Sequence, residues 1–390
     1  MSSRRSILIS VSGLDRPGIT AALMDLLSFH DCFIEDVEQI VIRGRLNLST
    51  IVSLPANTDL RPALLLFGYE QDIDMHFEEV SSTPAGQQSD LLVTMLGTQV
   101  TPEEFGSVAT IVASHGGNIE RIVRLAREPV RAYELAVSGP NPAEIRVALL
   151  EHAHRLSADL AVHRRGLGRR AKRLVVLDVD STLIQDEAID MLAEQAGVRT
   201  EVAELTERAM AGELNFNEAM DARLALLAGA DESLFEQVVA RIELTPGANT
   251  FLRTLQRLGY KIAIVSGGFT FVTDYLANEY ELDHAYANRL EVVDGKLTGR
   301  LLGPMVDRER KAELLREIAA KEEIPIGQVV AVGDGANDLD MLAAAGLGIA
   351  FNAKQVVREA ADTTLNVPYL DAVLFVLGIT RHEVEEAEHI

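Results

Sequence analysis

Apolar and polar positions divide the chain into two stretches of different rhythm. In the first, Ser6–Ser12 (SILISVS) alternates with period two, the mark of a half-buried strand. GLDRPG then turns the chain, and ITAALMDLLSFHD spaces its apolar residues as an amphipathic helix does. Two strand-like runs follow, FIEDVEQIVIR and LNLSTIVSL, then a helical piece after Arg61 and a strand near HFEEV. The order recurs in DLLVTMLG, a helix from Pro102, NIERIVRLA, AYELAVSG, a helix from Pro142 and a strand near ADLAVHR. Both copies read βαββαβ, which predicts a small antiparallel sheet covered on one face by two helices. The segment between them, SSTPAGQQSD, is small and polar and reads as a linker.

From Leu174 the rhythm changes. LVVLDVD, KIAIVSGG, QVVAVGDG and GLGIAFN are near-continuous apolar runs, as expected of parallel strands buried on both faces. TFLRTLQRLG, RKAELLREIAAKE and DLDMLAAAG supply helices between them. This alternation predicts an α/β, Rossmann-like doubly wound parallel sheet. A polar, helix-rich insertion between Gln185 and Thr245 separates the first strand from the next unit. It is placed to cap the carboxyl edge of the sheet, where such folds bind ligands. The expected domains are therefore 1–84, 88–165 and 166–390, the last with a helical cap at about 185–245.

Composition narrows the function classes. The 390 residues are 47 % hydrophobic and 24 % charged, an ordinary globular balance. The formal charge is −23, which repels nucleic acid and anionic membrane and predicts neither as a partner. A phosphate site on such a chain must build its own positive field. Cys32 is the only cysteine, so intrachain disulfides and cysteine-based metal sites are excluded; its apolar surroundings (HDCFI) suggest a core position. No apolar run reaches the roughly 18 residues of a membrane span, and MSSRRSILIS reads as a first strand, not a signal peptide. A reducing cytoplasm fits these features. The basic stretch HRRGLGRRAKR, His163–Arg173, reads as a solvated linker.

Chemistry gathers at the strand ends of the second stretch. Asp178 and Asp180 stand two apart just past a strand, so both can reach one cavity: the nearer to attack phosphorus, the other to act as general acid and base. Ser266, Gly267 and Gly268 offer a hydroxyl and open amides to phosphate oxygens. Lys311 opens a helix, against the helix dipole, as makes sense if its ammonium neutralises phosphate and carboxylates. Asp334, directly after VVAVG, adds the acidic oxygen that Mg²⁺ favours. Each signal alone also fits a turn, a glycine-rich loop or a surface lysine.

Taken in order, DVDST, VSGG, a helix-starting lysine and GDGANDLDM resemble the haloacid dehalogenase (HAD) superfamily of phosphatases over roughly residues 170–380. The finer resemblance, through DVDSTLIQDEAIDMLA, ERAMAGELNFNEAMDARLALL, VSGGFTFV and GDGANDLDML, is to the phosphoserine phosphatases. That resemblance implies an HAD-like fold and Mg²⁺ held by Asp178, the Asp180 backbone carbonyl and Asp334, with Asp338 supporting. It implies Asn337 on phosphate or substrate, Glu187 on the substrate ammonium, Arg223 on its carboxylate, and Met210 and Phe216 lining the pocket. A phosphate-only substrate would not require both Glu187 and Arg223, so another small phosphomonoester is the alternative; a non-catalytic amino-acid sensor is a third. The two N-terminal copies resemble ACT domains, on strand–GLDRPG–helix in the first, while Gly97-Thr98-Gln99 replaces that turn in the second. They imply an amino-acid effector near Asp15 and Gly18, and a homodimer paired through the ACT-like half or the basic stretch.

Overall fold

The computed structural model describes residues 4–80, 90–153, 155–210, 213–353, 357–358, 361 and 363–388. The chain forms two compact units, 1–86 and 87–390. The expected linker falls almost wholly on 81–89, outside the described residues.

The first unit runs β1 (Arg4–Leu14), α1 (Ile19–Phe29), β2 (Phe33–Ile42), β3 (Arg45–Pro55), α2 (Arg61–Gln71) and β4 (Ile73–Val80). Its sheet is antiparallel with order β2-β3-β1-β4. Alternation does the sorting: Ile9 and Val11 of β1 and Leu46, Leu48, Val52 and Leu54 of β3 are buried with Leu23, Leu27, Leu64 and Phe67 of the helices. Cys32 is half-buried against this core, and burial raises its thiol pKa. GLDRPG needs both glycines: a Cβ on Gly13 would come within 2.7 Å of Ile73 Cγ2, and Gly18 enters α1 at φ +98°. β2 departs from the alternation, since all ten of its residues are exposed.

The second unit opens with the same plan: β5 (Leu91–Gly97), α3 (Pro102–Ser114), β6 (Asn118–Ala126), β7 (Arg131–Ser138), α4 (Pro142–Ala153) and β8 (Asp159–Arg164), in sheet order β6-β7-β5-β8. A Thr101/Glu104 capping box starts α3. Here β5 is buried on both faces. Its second face belongs to a larger core, in which Leu96, Leu125, Val130 and Ala161 pack with residues of the α/β domain that follows.

The basic stretch is only in part the solvated linker expected from its charge: Arg164, Arg165 and Arg173 are exposed, but Arg169 and Lys172 are buried. Arg169, in the short helix α5 (Leu167–Arg170), is 9 % exposed. It donates to the carbonyls of Val376 (2.8 Å) and Phe375 (3.1 Å) and to Thr94 Oγ1 (3.1 Å), and it pairs with Glu134. Lys172 Nζ reaches the Gly327 carbonyl at 2.7 Å. Arg169 thus spends its charge at the seam between the ACT-like copy and the α/β domain, and Lys172 spends its own on a carbonyl within the α/β domain. A count of basic residues cannot show this.

The α/β domain is a seven-stranded sheet of order β12-β11-β10-β9-β13-β14-β15. β9 (Leu174–Leu177) is central, and α6 (Ala188–Ala196), α7 (Arg199–Met210), α8 (Phe216–Leu226) and α9 (Leu234–Val239) form the cap after it. Then come α10 (Ala248–Arg257), β10 (Lys261–Phe269), α11 (Thr270–Glu279), β11 (His284–Val293), β12 (Lys296–Leu302), α12 (Arg308–Lys321), β13 (Val329–Gly333), α13 (Leu339–Ala344), β14 (Leu347–Phe351) and β15 (Thr363–Leu365). Helical pieces Ala372–Val376 and Arg381–Glu388 close the chain. All strands are parallel except β12, which pairs antiparallel with β11.

The cap leaves and rejoins the sheet through one bridge, Ile184 to Leu244, flanked by Gln185 N donating to Glu243 O (3.0 Å) and Thr245 N to Leu183 O (3.0 Å). Among the described residues, no helix is long and apolar enough to cross a membrane.

Candidate active site

Strand register assembles the site. Leu177 of β9 is level with Ile264 of β10 on one side and Val332 of β13 on the other. Asp178 and Asp334, just past the ends of β9 and β13, and Ser266, two residues beyond Ile264 within β10, therefore emerge side by side. Asp178 N donates to the Val332 carbonyl (2.9 Å), which extends the ladder one residue into the site.

Lys311 comes from the first turn of α12, whose N-cap Asp307 accepts from Arg310 N at 3.0 Å. The lysine is fully buried. Its ammonium donates to Asp178 Oδ1 and to Asp338 Oδ1, both at 2.7 Å. Burial alone would lower its pKa, but the two carboxylates outweigh burial and raise it above the ordinary lysine range. Asp338 is held in turn by the Gly335 amide (3.0 Å), and it leaves no room for a side chain at 333, where a Cβ would lie 2.5 Å from its Cγ.

Carboxylate oxygens of Asp178, Asp334 and Asp338 lie within 4.8 Å of one another. Burial, then Asp338, pushes the Asp178 pKa well up. Burial followed by Asp338 raises Asp334 to about 6, against a hydrogen bond from Thr182 Oγ1 at 3.2 Å. Negative charge crowded out of water in this way calls for a cation. An all-oxygen donor set of this kind suits a hard divalent ion such as Mg²⁺.

Asp180 sits at the sheet's junction with the cap. Its Oδ1 accepts the N–H of Ala188, the first residue of α6 (2.6 Å), and its Oδ2 accepts the Ser266 hydroxyl (2.7 Å). Ser266 Oγ also accepts the Gly268 amide (2.7 Å). A Cβ on Gly268 would come within 2.6 Å of Asp180 Oδ2, so glycine is required for this approach. The residues expected to cradle phosphate thus hold Asp180 as well. Gly267 lends its carbonyl to Asn288 Nδ2 (2.7 Å), and Asn337 folds its amide back over Gly335.

Beneath the cap, Ser181 turns the chain at φ +57° and its hydroxyl donates to Glu187 Oε1 (3.0 Å). Glu187 keeps contact with solvent, yet the crowding of protein atoms around it, then the charge of Asp180, raises its carboxyl to about 7. Arg223 Nε donates to the Ala219 carbonyl on its own helix (3.2 Å). Burial lowers its pKa, opposed by the charges of Asp190, Glu187 and Asp180. The side chains of Met210 and Phe216 lie outside the described residues.

Three of these participants escape sequence reasoning. Thr182 stands inside the DVDST motif and could have been found there. Asp190, in the first turn of α6, acts on Arg223 by its charge. Asn288 bridges the Gly267 carbonyl and the Val306 amide (2.7 Å each), tying the glycine loop to the segment that leads to Lys311. Nothing in HAYANRL marks it.

Comparison with known proteins accords with this geometry. Residues 175–343 match the haloacid dehalogenase-like hydrolase family, and residues 5–78 and 89–163 each match an ACT domain. The chain is 52 % identical over 390 residues to a phosphoserine phosphatase of Streptomyces coelicolor, covering 98 % of this chain and 94 % of that one. It is 47 % identical over 395 residues to phosphoserine phosphatase SerB2 of Mycobacterium tuberculosis, covering 100 % and 97 %. Among solved structures, a probable phosphoserine phosphatase from Vibrio cholerae superposes with a TM-score of 0.57 at 35 % identity, over 77 % of this chain and 89 % of that one. A phospho-aspartyl intermediate analogue of phosphoserine phosphatase superposes with a TM-score of 0.50 at 42 % identity, over 52 % and 98 %. Near full-length coverage at such identity leaves one assignment: the chain belongs to the phosphoserine phosphatase family of haloacid dehalogenase-like hydrolases, in the form that carries two ACT domains, and it is a phosphatase.

Proposed function

We propose that the chain hydrolyses O-phospho-L-serine to L-serine and phosphate, the last step of serine biosynthesis in the cytoplasm. The observation that carries this reading is the meeting of Asp178, Lys311 and the Asp180–Ser266–Gly268 cluster beneath a cap that presents Glu187 and Arg223.

A carboxylate oxygen of Asp178 attacks phosphorus, and the bond from phosphorus to the serine oxygen breaks. Asp180, protonated at this stage, gives its proton to that oxygen. Water then attacks phosphorus while Asp180 takes its proton; the bond to Asp178 breaks, phosphate leaves and both carboxyls are restored. Lys311, Ser266 and the Gly267 and Gly268 amides spread the charge of each transition state, with Asn337 on the phosphate. Glu187 takes the substrate ammonium and Arg223 its carboxylate, bidentately. Asp178, Asp334 and the Asp180 carbonyl would hold Mg²⁺, with Asp338 in support. When bound, the ion supplies charge neutralisation to the phosphoryl group.

Phosphate release from phosphoserine, phosphothreonine, sugar phosphates and p-nitrophenyl phosphate, with and without EDTA, tests this. Phosphoserine should lead, and EDTA should abolish release until Mg²⁺ is restored. Glu187→Ala and Arg223→Ala should each cost phosphoserine about 10²–10³-fold in kcat/KM, the scale of unpairing a charge in a closed site. p-Nitrophenyl phosphate should lose far less. Equal losses on both would assign the two residues to structure or phosphate and favour another small phosphomonoester.

The ACT half is proposed to pair two chains along β2 and to take serine or a related amino acid at Gly13–Gly18. β2 is an edge strand with Phe33, Ile34, Val37, Ile40 and Val41 exposed, the kind of edge that seeks a partner. Gly18 opens α1 with no side-chain cap, so the helix-start amides suit a carboxylate, and Asp15 is assigned to an ammonium. Sedimentation should give a two-chain mass for the native protein and one chain for Val41→Lys. Titration calorimetry with serine should show a second binding event that Gly18→Ala removes. A native monomer, or unchanged binding in Gly18→Ala, rejects the corresponding half of this proposal.

A further inference from the structure

A cleft of about 230 Å³ opens where β8 of the second ACT domain meets the edge of the large sheet. Its polar lining is Arg146 from α4, His163 and Arg164 from β8, and Thr363, with Gly346 and Leu347 beside them. Leu347 and Thr363 begin the parallel strands β14 and β15. Asp178 and Asp334 follow the far ends of β9 and β13, so the cleft lies at the opposite edge of the sheet from the catalytic carboxylates.

Charge at this place runs against the chain as a whole. In a protein of net charge −23, the cleft gathers Arg146 and Arg164, with Arg169 and Lys172 close enough to act on His163. Burial first, then the cations Arg169, Lys172 and Arg146, lowers the His163 pKa to about 3, so its imidazole is neutral. Arg146 Nε donates to the Val162 carbonyl (3.4 Å), and Asp159, at the other end of β8, accepts from Asn366 N (2.7 Å), Asn366 Nδ2 (2.6 Å) and Val367 N (3.3 Å). Two lining side chains also have unmet polar atoms. Thr363 is 2 % exposed and its Oγ1 has no hydrogen-bond partner among the described residues, and neither has the shielded Nε2 of His163. Polar atoms shielded from water in this way are unfavourable when left unpaired. An occupant able to accept from a hydroxyl and an imidazole N–H would remove that cost.

We infer that this cleft is a second binding site, for a small oxyanion (a phosphate or a carboxylate) held by Arg146 and Arg164 and completed by Thr363 and His163. Guanidinium forks suit both chemistries. The site spans the seam between the second ACT domain and the α/β domain, so its occupant would join the two across β8 and β15.

The test uses the full chain with ¹³C-labelled histidine, the His163 resonance being the one missing from His163→Gln. Inorganic phosphate and acetate are titrated separately, with potassium chloride as the ionic-strength control. Saturable movement of the His163 resonance is expected with at least one of the two anions and not with chloride, and the anion that acts identifies the source. Arg164→Gln, a change at an exposed position, and Arg146→Gln should each weaken this binding at least about tenfold, the order expected for losing one charge-assisted pair. The proposal is overturned if neither anion moves the resonance, if chloride moves it equally, or if both variants titrate like the native chain. Because His163 reports from the opposite sheet edge, phosphate bound among the catalytic groups does not imitate the signal, and failure here leaves the catalytic reading standing.

Discussion

Asp178→Asn should lose at least about 10⁴-fold in turnover, the scale on which removal of a covalent nucleophile acts, while the domain stays folded. The amide has nearly the shape of the carboxyl but cannot attack phosphorus. Folding should tolerate it because Asp178 is buried among Asp338, Asp180 and Asp334, and losing one negative charge relieves their repulsion. Lys311 keeps Asp338 as its second partner. Two readouts separate this from a structural defect. In EDTA the variant should melt no lower than the native chain. On adding Mg²⁺ the native chain should be stabilised, by about 2.7 kcal/mol at a hundredfold excess over Kd, and the variant by much less. Retained turnover would sink the nucleophile assignment; an unchanged Mg²⁺ response would remove Asp178 from the ion's donor set.

Much of this architecture is legible in the sequence because its patterns have a single cause. Strands buried on both faces must be apolar throughout, so β9, β10, β13 and β14 announce themselves, and chemistry at their ends can be read as one set. The β11–β12 hairpin is less visible. HAYANRLEVV mixes polar and apolar residues because much of it is only half-buried: Leu290 and Leu297 are buried in the main core, while Ala285 and Leu301 pack against it half-buried. Its one clear signal is Asp294-Gly295, a two-residue turn with both φ values positive.

That hairpin matters to the site. Gly229 N donates to Leu297 O (2.7 Å), Leu297 N to Ala230 O (2.9 Å), and Lys296 pairs with Asp231. Gly299, at φ +80°, lies against the carboxyl end of α8, where a Cβ would come within 3.0 Å of Leu224 O. The edge of the sheet therefore steadies the cap helix that carries Arg223. Contacts between segments so far apart leave no local periodicity to read. The same holds for Asn288 and for Arg169, whose partners lie 18 to 21 and 35 to 207 residues away.

Lys311→Met should give the second large effect, on stability and turnover together. The lysine is fully buried, and its ammonium is shared by two buried carboxylates at 2.7 Å. Methionine fills much of the same space but leaves both acids without their cation. Breaking a buried ion pair from one side typically costs about 3–5 kcal/mol, because the remaining charge is stranded away from water. In EDTA the urea midpoint should fall accordingly. Mg²⁺ should recover part of the stability, since the stranded acids are among those able to hold it, but turnover should stay low because the ammonium that faces Asp178 is gone. A cycle with Asp338→Asn distinguishes pairing from packing. If Asp338 and Lys311 act on each other through charge, the double variant should be more stable than the sum of the single losses predicts, by about 0.5–3 kcal/mol. Strict additivity, with Lys311→Met alone near native stability, would mean that the short contacts contribute little and that the lysine's place at the start of α12 serves something other than these carboxylates.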